Sequence, residues 1–142
     1  MWSTSRVTPH LSTPLPPDVE TRLADERNVW LCTVRRDGSP HVTPVWFVYA
    51  DGIWWIGCDG RSVKVRNLAA DPRVSLALED GAAPVVAEGV AHLHRGNFPT
   101  AVVEAFANKY EGWDVTKPVA QEGDRVLLEV PVRRWLLAGT AQ

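Results

Sequence analysis

Ile53-Trp54-Trp55-Ile56-Gly57-Cys58-Asp59-Gly60-Arg61-Ser62-Val63-Lys64-Val65-Arg66-Asn67-Leu68 decides the architecture of this 142-residue chain. Its first half, Ile53 to about Cys58, is an apolar run of β-forming residues and predicts a strand. Its second half changes period. Val65, Leu68 and Ala69 fall on one helical face, which predicts a short helix over 62–70. Asp71-Pro72 stops that helix, because a residue before proline avoids the helical region. A further strand, 73–79, follows at once. The start of the helix gathers Arg61, Lys64 and Arg66. A helix start exposes unpaired N–H groups and the positive end of the dipole, so added cations make it a seat for a phosphate. Taken alone, three such cations more often make a solvated basic face than a ligand site.

Outward from this stretch the chain is β-rich. Residues 29–34 form the first predicted strand, and Asp37-Gly38 a tight hairpin turn. The second strand spans 41–49 and carries Pro44, which cannot donate to a ladder and requires a bulge or an edge position. Asp51-Gly52 turns the chain into the Ile53 strand. Past the helix and the 73–79 strand comes a fifth strand, 85–94, where Gly89 marks a bulge or tight corner. A helix over 98–110 and a loop over 111–123 precede the last strand, 125–138, in which Pro131 implies a bend. The class is mainly β with short helices. Six strands in hairpin order favour a small closed antiparallel barrel, since closure removes exposed edges. An orthogonal sandwich fits nearly as well. Residues 1–17 are rich in Pro, Ser and Thr and are expected to form a flexible arm. A single domain fills 18–142, opening with a helix capped by Asp18 that buries Val19, Leu23 and Ala24 and ends near Asn28.

A formal net charge of −2 argues against general nucleic-acid binding, so any anion site must be local. Cys32 and Cys58 sit in separate apolar runs without disulfide or metal spacing, as free thiols of a reducing compartment do. No apolar stretch reaches the length of a membrane span, and the N-terminus lacks the apolar core of a signal peptide. A cytoplasmic location is expected. Seven Trp are many for this length, and serve either as core or as flat walls for an aromatic ligand.

The run Leu31-Cys32-Thr33-Val34-Arg35-Arg36-Asp37-Gly38-Ser39-Pro40-His41-Val42-Thr43-Pro44-Val45-Trp46-Phe47 resembles the opening hairpin of the split β-barrel flavin and deazaflavin oxidoreductases. Ser62-Val63-Lys64-Val65-Arg66-Asn67-Leu68-Ala69-Ala70-Asp71-Pro72-Arg73-Val74-Ser75 resembles their helix-to-strand signature, and Ala87-Glu88-Gly89-Val90-Ala91 their fifth strand. The resemblance covers roughly 23–138. It implies a six-stranded antiparallel split β-barrel, a homodimer with cofactor sites at the interface, and a cofactor ring against strands two and three with its phosphate near the following helix. The family includes pyridoxamine phosphate oxidases, which use FMN, and reductases that use the deazaflavin coenzyme F420. In the oxidases the second strand region carries an Arg and a Lys that grip the FMN phosphate. The comparable segment here, 42–49, has no cation, and the substrate-binding arginine segment at the C-terminus is missing. The pattern Lys-x-Arg-Asn-Leu followed by Asp-Pro-Arg-Val is similar to the deazaflavin branch.

The candidate cofactor-binding residues are therefore Val42, Thr43, Pro44, Val45, Trp46, Arg61, Ser62, Lys64 and Arg66. Lys64 is the leading phosphate ligand, with Ser62 able to cap the helix or bond the phosphate. Arg61 is assigned to the phosphate or to an acidic cofactor tail, and Arg66 to ligand or solvent. Val42 to Val45 would flank the ring, with Pro44 freeing backbone groups for its polar edge. Trp46 is a wall; Trp54 and Trp55 are more readily core. His92 and His94 share a strand face, but two ligands do not make a metal site. His41 is expected near solvent and Cys58 as a packing residue. No catalytic side chain is assigned, because the cofactor carries the chemistry. The expected activity is F420-dependent hydride transfer to a small conjugated acceptor. The alternatives are an FMN-dependent oxidase or reductase and a non-catalytic flavin- or haem-binding module.

Overall fold

A computed structural model of the chain describes residues 14–118 and 123–141. Among these residues three helices and eight strands follow in the order α1 (Pro17–Asp25), β1 (Asn28–Val34), β2 (Pro40–Trp46), β3 (Val48–Ala50), β4 (Ile53–Asp59), α2 (Val63–Ala70), β5 (Arg73–Leu78), β6 (Val85–Val90), β7 (His92–His94), α3 (Thr100–Lys109) and β8 (Arg125–Ala138). All pairings are antiparallel, in the order β2-β1-β5-β6-β8-β4-β3, with β7 also on β8. The fold is mainly β, a curled antiparallel sheet with short helices, as expected.

Two expected strands are each broken in two. The expected 41–49 strand breaks at Phe47, whose N–H donates to the Tyr110 hydroxyl at 2.9 Å while its carbonyl lies 2.8 Å from the same oxygen. One side chain there takes the place of a ladder partner. The expected 85–94 strand breaks at Ala91, whose N–H donates to the Pro72 carbonyl. Pro44 sits on an edge strand, in an unbroken register against β1, so the edge alternative applies and β2 has no bulge there.

The long strand β8 holds the two halves of the sheet together. Its residues 125–131 pair with β4 and its residues from Val132 onward pair with β6. Pro131 stands at the switch. The register shift beside Gly89 faces it, and a Cβ at Gly89 would lie 2.6 Å from the Pro131 carbonyl oxygen. Only glycine permits that approach. At the two ends of the path, β2 and β3 are joined by Phe47, but among the described residues no ladder connects β2 to β3 or β4. The expected ring is thus not closed, and the opening lies between β2 and β4.

Strand alternation sorts β4 between two apolar layers. Trp54, Ile56 and Cys58 enter the barrel core with Leu31, Phe47, Leu76 and Leu128. Trp55 enters a second cluster with Phe106, Tyr110, Val115 and Leu127 beneath α3. Full burial of each such aliphatic side chain contributes about 1.5–3 kcal/mol. The helix α2 is tied to β1 by a buried hydrogen bond, Asn67 Nδ2 donating to Thr33 Oγ1 at 3.0 Å. Asn67 thus occupies the buried face together with Val65 and Leu68, and Ala69 is exposed.

The first helix corrects the sequence reading at both ends. Pro16 is its cap and Pro17 its first residue, so Asp18 lies in the first turn rather than capping it. Proline needs no N–H there, and Asp18 with Glu20 favours the positive dipole end. The helix stops at Asp25; Val19 and Leu23 are buried and Ala24 is exposed. Of the expected N-terminal arm, residues 1–13 lie outside the described residues.

Candidate cofactor cleft

The opening between β2 and β4 holds a cleft of about 440 Å³. Pro44, Val45 and Trp46 of β2 form one wall, and Gly57, Cys58 and Asp59 of β4 the other. Ser62, Lys64, Trp113 and Arg125 complete the lining.

The Ser62 end is built from the start of α2. Ser62 is the N-cap by position, but its hydroxyl makes no capping bond, and its Oγ is buried without a partner. No acid occupies the first turn of the helix. Lys64 stands in that turn, and no described residue forms an ion pair with it. Unpaired helix N–H groups, an orphan hydroxyl and an uncommitted ammonium converge there, the donor set that an anionic group requires. The Lys64 charge also reaches neighbours. Burial first, then Arg35 and Lys64, hold the His41 imidazole below its ordinary pKa. His41 is half-buried rather than solvent-facing, with Nδ1 buried and unpaired.

Asp59 and Arg125 form a buried ion pair in the same lining. Arg125 Nη1 donates to Asp59 Oδ1 at 2.6 Å, with the two side chains 5% and 8% exposed. Arg125 Nε donates to the Val115 carbonyl at 3.0 Å, and the guanidinium carbon lies 5.5 Å from the centre of the Trp113 ring. The third nitrogen, Nη2, has no hydrogen-bond partner. Gly57 makes this packing possible, since a Cβ there would lie 2.8 Å from Nη2 and overlap a Val115 methyl. Aromatic rings complete the wall. Trp46 stacks on Tyr110 with centroids 4.4 Å apart, and Trp113 meets Trp46 edge-on at 5.2 Å. Arg27 lies over Tyr110 at 4.9 Å and holds Glu111 through two hydrogen bonds, tying the loop that carries Trp113 to the barrel.

Of the nine residues selected from sequence, the structure gathers Pro44, Val45, Trp46, Ser62 and Lys64 in the cleft lining. Val42 shares the outward face of β2 with Pro44 but stands outside the lining, 53% exposed. Thr43 points the opposite way, its Oγ1 buried and unpaired. Arg61 lines a neighbouring polar groove with Arg95 and Asp124, and Arg66 is exposed on α2. Gly57, Asp59, Trp113 and Arg125 were not anticipated. A glycine inside a strand, the signal that flagged Gly89, was also present at Gly57. Trp54 and Trp55 are core. Burial pushes the Cys58 thiol up to about 11, consistent with packing rather than nucleophilic duty. His94 pairs with Glu129 at 2.7 Å, and no group of three or more metal-ligating side chains occurs among the described residues.

A family model described as pyridoxamine 5'-phosphate oxidase matches residues 15–138. The chain belongs to this family. Its members bind flavins in a split barrel. Among solved structures the chain resembles an F420 reductase, at 24% identity and TM-score 0.69, over 85% of this chain and 98% of that one. It also resembles a conserved hypothetical protein from Mycobacterium tuberculosis, at 28% identity and TM-score 0.68, over 87% and 83%. The haem storage protein HutZ from Vibrio cholerae superposes with TM-score 0.71 at 18% identity, over 91% and 98%. These likenesses establish the shared fold across proteins of different function. No curated protein matches the chain.

Proposed function

We propose that this family member is a reductase that holds coenzyme F420 in the β2–β4 cleft and transfers a hydride to a small conjugated acceptor. The observation that carries the reading is the Ser62–Lys64 end of the cleft: an orphan buried hydroxyl and an uncommitted cation at a helix start with no acid in its first turn. That donor set fits the phosphate of a flavin or deazaflavin. Reduced deazaflavin supplies the hydride when bound. The chain's own residues bind and orient: Lys64 and Ser62 anchor the anionic end, and the Trp46–Trp113 corner offers flat apolar walls. F420 is preferred to FMN because β2 presents no cation to help grip the FMN phosphate. Arg61 and Arg95, in the groove beside the cleft, suit a longer acidic tail.

A second copy of the chain is part of this proposal. Trp30, Val42, Val63 and Leu136 are 41%, 53%, 38% and 42% exposed, apolar surface that a second copy would cover. Light scattering at low micromolar concentration is expected to give a dimer, and a stable monomer with full cofactor binding would contradict the interface model.

The test of the cofactor is a competition between F420 and FMN at low and high salt. F420 is expected to bind more tightly and to weaken as salt rises, because exposed tail contacts are screened within about 8 Å at physiological ionic strength. Tighter FMN binding at both salts overturns the choice of cofactor.

A further inference from the structure

A second groove lies on the α3 side of the molecule and shares no lining residue with the β2–β4 cleft. Among the described residues β3 pairs only with β4, and both α1 and α3 pack against it. Between the three elements the groove measures about 610 Å³. Leu23 and Ala24 of α1, Val48 and Tyr49 of β3 and Ala105 of α3 give it a largely apolar wall, and Lys109, the last residue of α3, opens onto it beside Asp25 and Asn108. The Lys109 amine is poorly served as a cation. An ammonium has three donors. Here Nζ makes one long hydrogen bond, 3.4 Å, to the Leu23 carbonyl, sits 3.6 Å from the centre of the buried Phe47 ring, and forms no ion pair with a described residue. Burial, followed by the Arg27 charge, lowers its pKa to about 8 against the pull of Asp25 and Glu26. At pH 7 roughly one such amine in ten is neutral, against about one in three thousand for an amine at 10.5.

We propose that the Lys109 amine is a nucleophile that captures an apolar aldehyde in this groove as an imine. The neutral amine attacks the carbonyl carbon and a C–N bond forms. The two amine protons leave with the carbonyl oxygen as water, and nothing is oxidised or reduced. An imine is less basic than the amine, so capture relieves the burial penalty that the ammonium bears. The surroundings select the aldehyde. Leu23, Val48, Ala105 and the Tyr49 ring offer contact to a hydrocarbon or aryl group. Burial pushes the Tyr49 hydroxyl up to about 12, so it adds no charge near neutral pH. Arg27 is paired with Glu111, which leaves Asp25 and Glu26 as the charges an anionic aldehyde would meet. Neither the cofactor nor the proposed reductase activity enters this inference.

The chain has three lysines, Lys64, Lys109 and Lys117, and the exposed Lys117 serves as the internal reference. The full chain is treated at pH 7 with benzaldehyde or with glyoxylate in the presence of cyanoborohydride, which fixes each imine as a stable secondary amine. Peptide mass spectrometry then gives the labelling rate at each lysine. With benzaldehyde, Lys109 is expected to react about tenfold or more faster than Lys117, following its larger neutral fraction. With glyoxylate that ratio is expected to fall several-fold. Ala24→Phe, at an exposed position of α1 that lines the groove, is expected to slow benzaldehyde labelling of Lys109 several-fold and to leave Lys117 unchanged. Equal rates at Lys109 and Lys117, a glyoxylate ratio as high as that of benzaldehyde, or an unaltered Lys109 rate in folded Ala24→Phe overturns the proposal. The first two comparisons use the unmodified protein and decide the matter if the variant fails to fold. No cofactor is present, so this result and the F420 reading stand or fall separately.

Discussion

Trp54, Ile56 and Cys58 face from β4 into the barrel, while Trp55, Gly57 and Asp59 face from the same strand toward α3 and the loop after it. The inner face is apolar at every position. The outer face begins apolar at Trp55, loses its side chain at Gly57 and ends in a buried charge at Asp59. Unpaired buried atoms follow the same division. Of the six found among the described residues, His41 Nδ1, Thr43 Oγ1, Ser62 Oγ and Arg125 Nη2 lie on β2, at the start of α2 or at the start of β8, which border the opening. Trp54 Nε1 in the core and Arg22 Nη2 on α1 are the exceptions. Apolar burial holds the barrel together, and orphan donors collect where the sheet fails to close. The proposed cofactor site accounts for Ser62 Oγ among them.

The largest expected effect is on the charged end of the outer face. Asp59→Ala leaves a buried guanidinium without its carboxylate and is expected to cost about 3–5 kcal/mol in chemical unfolding. That matches or exceeds the roughly 2–5 kcal/mol of Ile56→Ala on the inner face. A double replacement, Asp59→Leu with Arg125→Met, is expected to recover most of the loss, since a buried pair adds little net stability. A loss below about 1 kcal/mol for Asp59→Ala would place that pair in solvent and break the contrast.

Gly57 sharpens it. Gly57→Ala forces a methyl against Val115 and Arg125 Nη2 and is expected to cost about 1–3 kcal/mol. Gly81→Ala meets nothing within 4 Å and should stay within about 0.5 kcal/mol. Thermal melts of the two variants give the comparison, and equal melting temperatures would remove the close packing behind the cleft.

A smaller effect is expected from Lys109, on the α3 side. Its Nζ lies 3.6 Å from the centre of the Phe47 ring, and burial, followed by the Arg27 charge, lowers its pKa from 10.5 to about 8 against the opposing pull of Asp25 and Glu26. Between those values the unfolded chain binds more protons than the folded one, so stability should rise as pH goes from about 8 to about 10.5. The gain is about 1 kcal/mol after allowing for partial exposure and for ring attraction to the cation. Urea unfolding across this range should show the rise in the parent and a flatter profile in Lys109→Met. Parallel profiles would place the amine in water.

Much of this was legible locally. The period change at Ser62, the Asp51-Gly52 turn, Gly89 and Pro131 each carry their structural meaning within a few residues. So do five lining residues of the cleft, which come from two short segments, 44–46 and 62–64. The breaks at Phe47 and Ala91 were not legible, because their causes are Tyr110 and Pro72, distant in sequence. The same holds for Asp59 and Arg125. They meet only because the β4–β8 register sets Asp59 opposite Arg125, and no local pattern encodes that register. Trp113 was hidden among seven tryptophans, and its place depends on how the loop packs against Gly57.

The central claim is that the opening between β2 and β4 is the cofactor site, with Lys64 at its anionic end. Lys64→Ala tests it most directly, by titrating cofactor fluorescence against the parent and the variant. The account predicts affinity lower by about 1.5–3 kcal/mol, roughly ten- to a hundredfold, with folding stability changed by less than about 0.5 kcal/mol. Unchanged affinity in a folded variant would contradict it and move the site elsewhere.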